Sequence, residues 1–316
     1  MDSSPNLTVF ILSYNRPDFI KEAVKSLLEQ TFQPENIVIL DNCSSDENLR
    51  EIMKLSGKKV SVVTTPTNHP SLWNYERAID LASSTYKTKY IHIMHDDDRI
   101  LPLFLEQMVD LLEKNPSFSA ATCKGYYMDS SGKRTRYFFR SNTETDLIFH
   151  SQSEVALGYA KGDGIAFPFV VMKNGTIQRV NRSAGLGVVD DIAIMCRLAD
   201  IGPMIKSHLR LFEYRLHESQ ESMTIDHSLR NKKNQFLIEA AAGDKARNEI
   251  RRNLYGIETS IFMAHSIKLV LKSEFKSGLR SLINDYKEEN IRIRYCLEAC
   301  IWLSRRLLNP GSEELN

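Results

Sequence analysis

Apolar residues in the first hundred positions fall into short unbroken runs, separated by longer stretches where they recur at helical spacing. Leu7-Thr8-Val9-Phe10-Ile11-Leu12 has the character of a strand buried on both faces, and Ile37–Leu40, Val60–Thr64 and Tyr90–Met94 repeat it. After the first run, Pro17 opens a stretch in which Phe19, Ile20, Ala23, Val24, Leu27 and Leu28 share one helical face. Proline suits that first position because its missing N–H would have no intrahelical partner there. A second helix is predicted over Trp73 to Ala82. Strands alternating with helices predict an α/β fold with a mixed, largely parallel sheet flanked by helices. The pattern loosens into a loop-rich section from about Cys123 to Phe169 and turns helical from Ile225 onward. Three parts are therefore expected: residues 1–122, residues 123–225 completing the same domain, and a helical C-terminal region over 226–316.

In open α/β sheets ligands bind beyond the carboxyl ends of the strands, and that is where the polar residues collect. Ser13-Tyr14-Asn15-Arg16 follow the first strand, Asp41-Asn42 the second, and Asp96-Asp97-Asp98 the fourth. An acidic triplet alone is more often a solvated turn; at a strand end it becomes a candidate metal site. Mg²⁺ or Mn²⁺ prefers oxygen ligands and is often held by one or two carboxylates together with substrate phosphates. Asp41 can accept from a nucleobase N–H or a ribose hydroxyl, although Asn42-Cys43-Ser44-Ser45-Asp46 also suits a turn or a helix cap. Arg16 offers a charge-assisted bond to phosphate, and the same residues form a capped helix start at Pro17.

Charge narrows the classes of partner. Lys and Arg number 41 against 40 Asp and Glu, so no global field draws the chain to nucleic acid, and no nucleic-acid partner is expected. The five cysteines are odd in number and lack CxxC spacing, and Cys296 and Cys300 have no second ligand pair. This argues for reduced thiols over a disulfide framework or a zinc site. No secretory leader or membrane-length apolar run is visible, so a cytoplasmic protein, soluble or peripheral on the inner membrane face, is expected. Residues 226–316 hold 16 Lys and Arg against 12 Asp and Glu, with Lys268, Lys272, Lys276 and Arg280 at helical spacing and Arg292, Arg294, Arg305 and Arg306 beyond. Such a face suits an anionic membrane surface or a homo-oligomer contact, while the apolar stripes beside it suit a core.

Four ordered segments carry a family resemblance. Thr8 to Arg16, Ile39 to Asp46, and His95-Asp96-Asp97-Asp98 with Pro102 resemble the nucleotide-sugar half of family 2 glycosyltransferases, whose fold is the Rossmann-like GT-A type. Asp190-Asp191 with the helical pattern to Gly202, and then Tyr214-Arg215-Leu216-His217, resemble the family's acceptor-side helix and its later Tyr-Arg-x-His segment. Two departures stand out: Asp190 replaces the usual Glu, and His95 stands where many members have a first Asp.

The resemblance implies donor binding by residues 1–122 and acceptor binding by residues 123–225, in an enzyme of bacterial surface-polysaccharide or glycolipid assembly. It implies nucleotide contacts from Ser13, Asn15, Arg16, Asp41, Asn74, Asp96 and Asp97, with Trp73 and Tyr75 beside Asn74 read as core. Asp98 would be the direct ligand of Mn²⁺ or Mg²⁺, and His217 a nitrogen ligand or a hydrogen-bond donor to the diphosphate. Arg215 and Asp190 would contact the acceptor or support the site. Asp191 would be the general base of an inverting transfer from a nucleoside-diphosphate sugar, UDP foremost, to a glycan or lipid-linked glycan. An N-cap pair at the start of a helix is the plainer reading of Asp190 and Asp191, and the two are compatible because the helix dipole keeps such carboxylates ionised. Gly185 and Gly187 would give the preceding loop its freedom. Two other classes compete. A sugar nucleotidyltransferase would need a Gly-rich phosphate loop that the N-terminal segment lacks, and a non-catalytic sugar-binding module would not need the full acidic set.

Overall fold

The computed structural model describes residues 6–138, 144–218, 220 and 227–254. The chain divides into two compact units, Met1–Ile250 and Arg251–Asn316. The basic and apolar stripes beyond residue 254, with Cys296 and Cys300, lie outside the described residues. Among the described residues no helix is long and apolar enough to cross a membrane.

The first unit is built on ten strands: β1 Leu7–Ser13, β2 Asn36–Asp41, β3 Val60–Val63, β4 Tyr90–His95, β5 Arg99–Ile100, β6 Ala120–Met128, β7 Arg134–Tyr137, β8 Leu147–Phe149, β9 Val170–Lys173 and β10 Met204–Arg215. Helices α1 Pro17–Leu28, α2 Asp46–Met53 and α3 Ser71–Leu81 cross between the first four strands. Next come α4 Phe104–Lys114, α5 Gln152–Ala160, the short α6 Asn174–Ile177, α7 Asp190–Ile201 and α8 His227–Glu239. One sheet runs β3-β2-β1-β4-β9-β6-β10-β5, with β7 on β6 and β8 on β10. Its first four strands are parallel. β9 then runs antiparallel to both neighbours, and β6 and β10 pair in parallel.

Burial explains the runs in the sequence. Val9, Phe10, Ile11, Ile37, Ile39, Ile91 and Ile93 are fully buried between the helices on the two faces, as parallel strands require. The helix from Pro17 forms as its spacing predicts, with Pro17 in the first turn and Ile20, Ala23, Val24 and Leu27 buried. The section read as loop-rich, Cys123 to Phe169, instead contains most of β6, with β7, β8 and α5. Its strands are hard to see because buried Lys124 interrupts β6 and all four residues of β7 are exposed.

Close packing requires a glycine at position 125. A Cβ on it would lie 2.2 Å from the Phe212 ring, which stacks flat on Phe169 with centroids 3.7 Å apart. The Phe212 ring thus lies over the Gly125 backbone of the neighbouring strand. Immediately after Asp98, β5 pairs antiparallel with Phe212 and Glu213, which sets the end of β10 beside the acidic triplet.

His92 on β4 is fully buried, its Nδ1 donating to the Val170 carbonyl at 3.1 Å, and burial pushes its pKa down to about 4. The unfolded chain takes up this proton near pH 6.5, whereas the folded chain refuses it until about pH 4, so acidification through that window favours unfolding. Wild type should lose up to about 3 kcal/mol relative to His92→Asn between pH 6.5 and 4. Urea titrations across that range check it, and parallel pH profiles would contradict it.

Candidate active site

Register brings three strand ends together. Ser13 pairs with Asp41 and Leu12 with His95, so the residues that end β1, β2 and β4 lie side by side. The backbone continues the alignment a step further, with Asn42 N–H donating to Ser13 O and Asp96 N–H to Leu12 O. The expected convergence of Ser13 to Arg16, Asp41 and Asp96 to Asp98 on one edge of the sheet is therefore the arrangement found.

All three carboxylates of the triplet are buried. Asp96 accepts from the Arg16 guanidinium at 3.0 Å and from the Tyr14 N–H at 3.1 Å. The same Arg16 nitrogen reaches Asp97 Oδ2 at 3.0 Å, and His217 Nε2 meets that oxygen at 2.8 Å. Asp98 Oδ1 accepts from the Arg215 backbone N–H at 3.0 Å. Burial, with the Asp97 charge added, lifts Asp96 to about 7 and Asp98 well above the usual carboxylate range. Asp97 goes the other way: burial opposes its charge, but the His217 hydrogen bond and the nearby His95 and Arg16 charges hold its pKa low. Charge is thus favoured on the central carboxylate and disfavoured on its two neighbours.

The residues fit a divalent cation. Asp98 Oδ2 is buried without a hydrogen-bond partner, and His95, Asp97 and Asp98 offer ligand atoms that all lie within 4.8 Å of one another. The carboxylate oxygens among them suit Mg²⁺ or Mn²⁺.

Arg215 organises the triplet from beneath and is fully buried. Its Nε donates to the Asp97 carbonyl at 2.7 Å, Nη1 to the Ser130 carbonyl at 3.2 Å and Nη2 to Glu22 at 2.7 Å, while its guanidinium sits over the Phe19 ring. Glu22 also takes Arg99 at 3.1 Å, and Arg99 reaches Glu213 at 2.8 Å. Arg215 thus ties together the residues that build the site.

Among the described residues, Ser13, Asp41, Asn74 and Asp98, all singled out from the sequence, each bury a side-chain oxygen that has no hydrogen-bond partner. Buried acceptors are costly unless something donates to them, so this grouping marks a ligand surface. Asp41 takes the Ser44 N–H on one oxygen at 3.1 Å and leaves the other without a donor. Asn15 also has a structural job. It adopts a left-handed φ of 55°, accepts from Ser45 N–H at 2.8 Å and Asn48 Nδ2 at 3.0 Å, and so ties the β1–α1 loop to the β2–α2 loop.

Neither Asp190 nor Asp191 is the helix cap; Val189 holds that position and both carboxylates stand in the first turn of α7. Asp190 is buried and accepts from the N–H groups of Ala184 and Leu186 at 2.8 and 3.2 Å, which folds the loop back on the helix start. Gly185 and Gly187 take positive φ in that loop, 70° and 63°. Asp191 is half-buried, and α7 packs against the turn Phe167–Phe169, which itself packs on β4. Tyr75 and Glu22 were not foreseen as site-building residues. Tyr75 is buried as expected of core, yet its hydroxyl meets His95 Nε2, and only the fold brings Glu22 under Arg215.

Comparison with known proteins gives this geometry a relationship. The sequence profile described as "Glycosyl transferase family 2" matches residues 8–173, more than half of the chain. An uncharacterized glycosyltransferase of Haemophilus influenzae is 23% identical over 238 residues, covering 72% of this chain and 70% of its own. One of Methanocaldococcus jannaschii is 27% identical over 42% of this chain and 46% of its own. Among solved structures, S. aureus TarS 1–349 in complex with UDP-GlcNAc superposes with a TM-score of 0.56 at 15% identity, over 79% of this chain and 70% of that one. GalNAc-T7 with UDP, GalNAc and Mn²⁺ superposes at 0.51 and 11% identity, over 69% of this chain and 45% of that one. The chain spans half of the longer TarS chain. These likenesses establish the GT-A fold.

Arg215→Met should lower the unfolding free energy by about 3 kcal/mol, because it strips the Asp97 and Ser130 carbonyls and Glu22 of their buried donor. Lys114→Met, which removes an exposed pair with Asp110, should change nothing measurable. Equal urea midpoints for Arg215→Met and wild type would contradict the clamp.

Proposed function

The chain belongs to glycosyl transferase family 2, and on that premise we propose that it is a metal-dependent, inverting glycosyltransferase. It would move a sugar from a nucleoside-diphosphate donor, UDP foremost, to a hydroxyl of a glycan or lipid-linked glycan. The observation that carries this reading is the set of partnerless buried oxygens on Ser13, Asp41 and Asp98 at the carboxyl ends of three strands, with another on Asn74 of α3. A nucleoside diphosphate supplies matching donors: a base N–H and ribose hydroxyls for Asp41, Ser13 and Asn74, and a phosphate-bound cation for Asp98.

The roles divide along the sheet. Asp41 reads the base and Asp96 the ribose side, with Asn15 keeping their two loops in register. Arg16 stands at the entrance, one quarter exposed, where it can turn from Asp96 and Asp97 toward the diphosphate. His217 and Asp97 form one unit, the imidazole sustaining the carboxylate charge. A divalent cation held by Asp98 and its neighbours would neutralise the charge gathering on the departing diphosphate.

Asp191 acts on the acceptor. At the first turn of α7 the helix dipole favours its ionised form, so it can take the proton of an acceptor hydroxyl. That oxygen bonds to the anomeric carbon from the face opposite the diphosphate, the carbon–phosphate-oxygen bond breaks, and its electron pair leaves with the nucleoside diphosphate. Inversion follows from the single displacement.

Assaying UDP-sugars for release of UDP, with the anomer of the product read by NMR, tests the proposal. Wild type should release UDP and yield the inverted anomer, and Asp191→Asn should lose roughly 10²–10⁴-fold in kcat while still binding UDP. Pyrophosphate release from UTP, or full turnover by Asp191→Asn, would contradict it.

A further inference from the structure

His95 departs from the family pattern, and the structure gives that departure a chemical use. It ends β4, and the turn at Asp96 and Asp97 folds the chain so that the ligand atoms of His95, Asp97 and Asp98 gather within 4.8 Å of one another. Two independent features show the group to be built for a ligand. Asp98 Oδ2 is buried to the last few per cent and has no partner. The imidazole ring is also held from outside: the Tyr75 hydroxyl meets its Nε2 edge, and Tyr75 is itself fixed edge-on against Phe167, with ring centroids 4.6 Å apart. Metal-binding histidines are oriented by outer hydrogen bonds of this kind.

The other imidazole at the site is differently employed. His217 Nε2 lies 2.8 Å from Asp97 Oδ2, so the ring acts on a carboxylate of the cluster. Arg16 Nη1 meets the same oxygen at 3.0 Å.

Resting on the reading that this cluster holds a divalent cation, we propose that His95 gives that cation a nitrogen ligand, with Tyr75 as its positioning residue. The centre is then a mixed imidazole–carboxylate site that selects Mn²⁺ and other first-row transition ions over Mg²⁺. Mg²⁺ is small and hard, holds its waters and seeks oxygen, whereas transition ions accept imidazole nitrogen readily. An aspartate at the same position would make an all-oxygen site with no such preference.

The test loads the full chain with Mn²⁺ and inorganic pyrophosphate, which has no nitrogen, and reads pulsed electron paramagnetic resonance for nitrogen coupled to the ion. Wild type should show coupling of a directly bound imidazole, kept in His217→Gln and lost in His95→Asp. Calorimetry should find that the ratio of Mn²⁺ to Mg²⁺ affinity falls about tenfold or more in His95→Asp, and that Tyr75→Phe weakens Mn²⁺ by ~10-fold while retaining the coupling. Coupling that persists in His95→Asp, or vanishes in His217→Gln, overturns the assignment, and the latter decides the matter even if His95→Asp fails to fold. Bound Mn²⁺ without nitrogen coupling in wild type defeats the role of His95 and leaves the metal reading standing. Failure to bind Mn²⁺ with either pyrophosphate or UDP defeats both.

Discussion

Three carboxylates buried side by side at the end of a strand are the constraint from which the surrounding structure follows. Like charges in a low-dielectric interior repel strongly and cannot all remain ionised without help. The protein meets this by unequal treatment. Asp97 is kept charged by His217 and Arg16, while Asp96 and Asp98 are driven toward their protonated forms by burial and by the Asp97 charge. A bound cation would relieve that repulsion.

The topology delivers those partners from distant parts of the chain. Parallel pairing of β1 with β2 and β4 sets the loops of the first hundred residues along one edge. The reversal through β9 lets β6 and β10 extend the sheet on the other side, and the short pairing of β5 with β10 turns the chain just after Asp98. That turn places the Arg215 backbone on Asp98 and its guanidinium beneath Asp97. Phe19 of α1 lies between Arg215 and His217, so the first helix also braces the site.

Much of this was legible because it is local. Unbroken apolar runs mark β1, β2, β3 and β4 to within a residue at each end, and the polar residues just beyond them are where doubly wound sheets place their ligands. The acidic pair at residues 190 and 191 does begin a helix. Long-range chemistry was not legible. Arg215 acts on Asp98 from 117 positions away and His217 on Asp97 from 120, and no periodicity encodes such pairs. Tyr75 reads as core because its ring is core; only its hydroxyl, aimed at His95, belongs to the site. Buried lysines obscured strands in the second half of the sheet, Lys124 in β6 and Lys206 in β10. Lys206 of β10 is fully enclosed yet satisfied by Asp163 at 2.6 Å and the Gly164 carbonyl at 2.9 Å.

The central claim is that the triplet and the partnerless oxygens around it form one site for a cation and a nucleoside diphosphate. Calorimetric titration of UDP and GDP, with and without Mn²⁺, into wild type and Asp98→Ala tests it most directly. The account predicts tight nucleotide binding only when both Mn²⁺ and Asp98 are present. Binding that ignores the metal and survives Asp98→Ala, or no nucleotide binding under any condition, would contradict it.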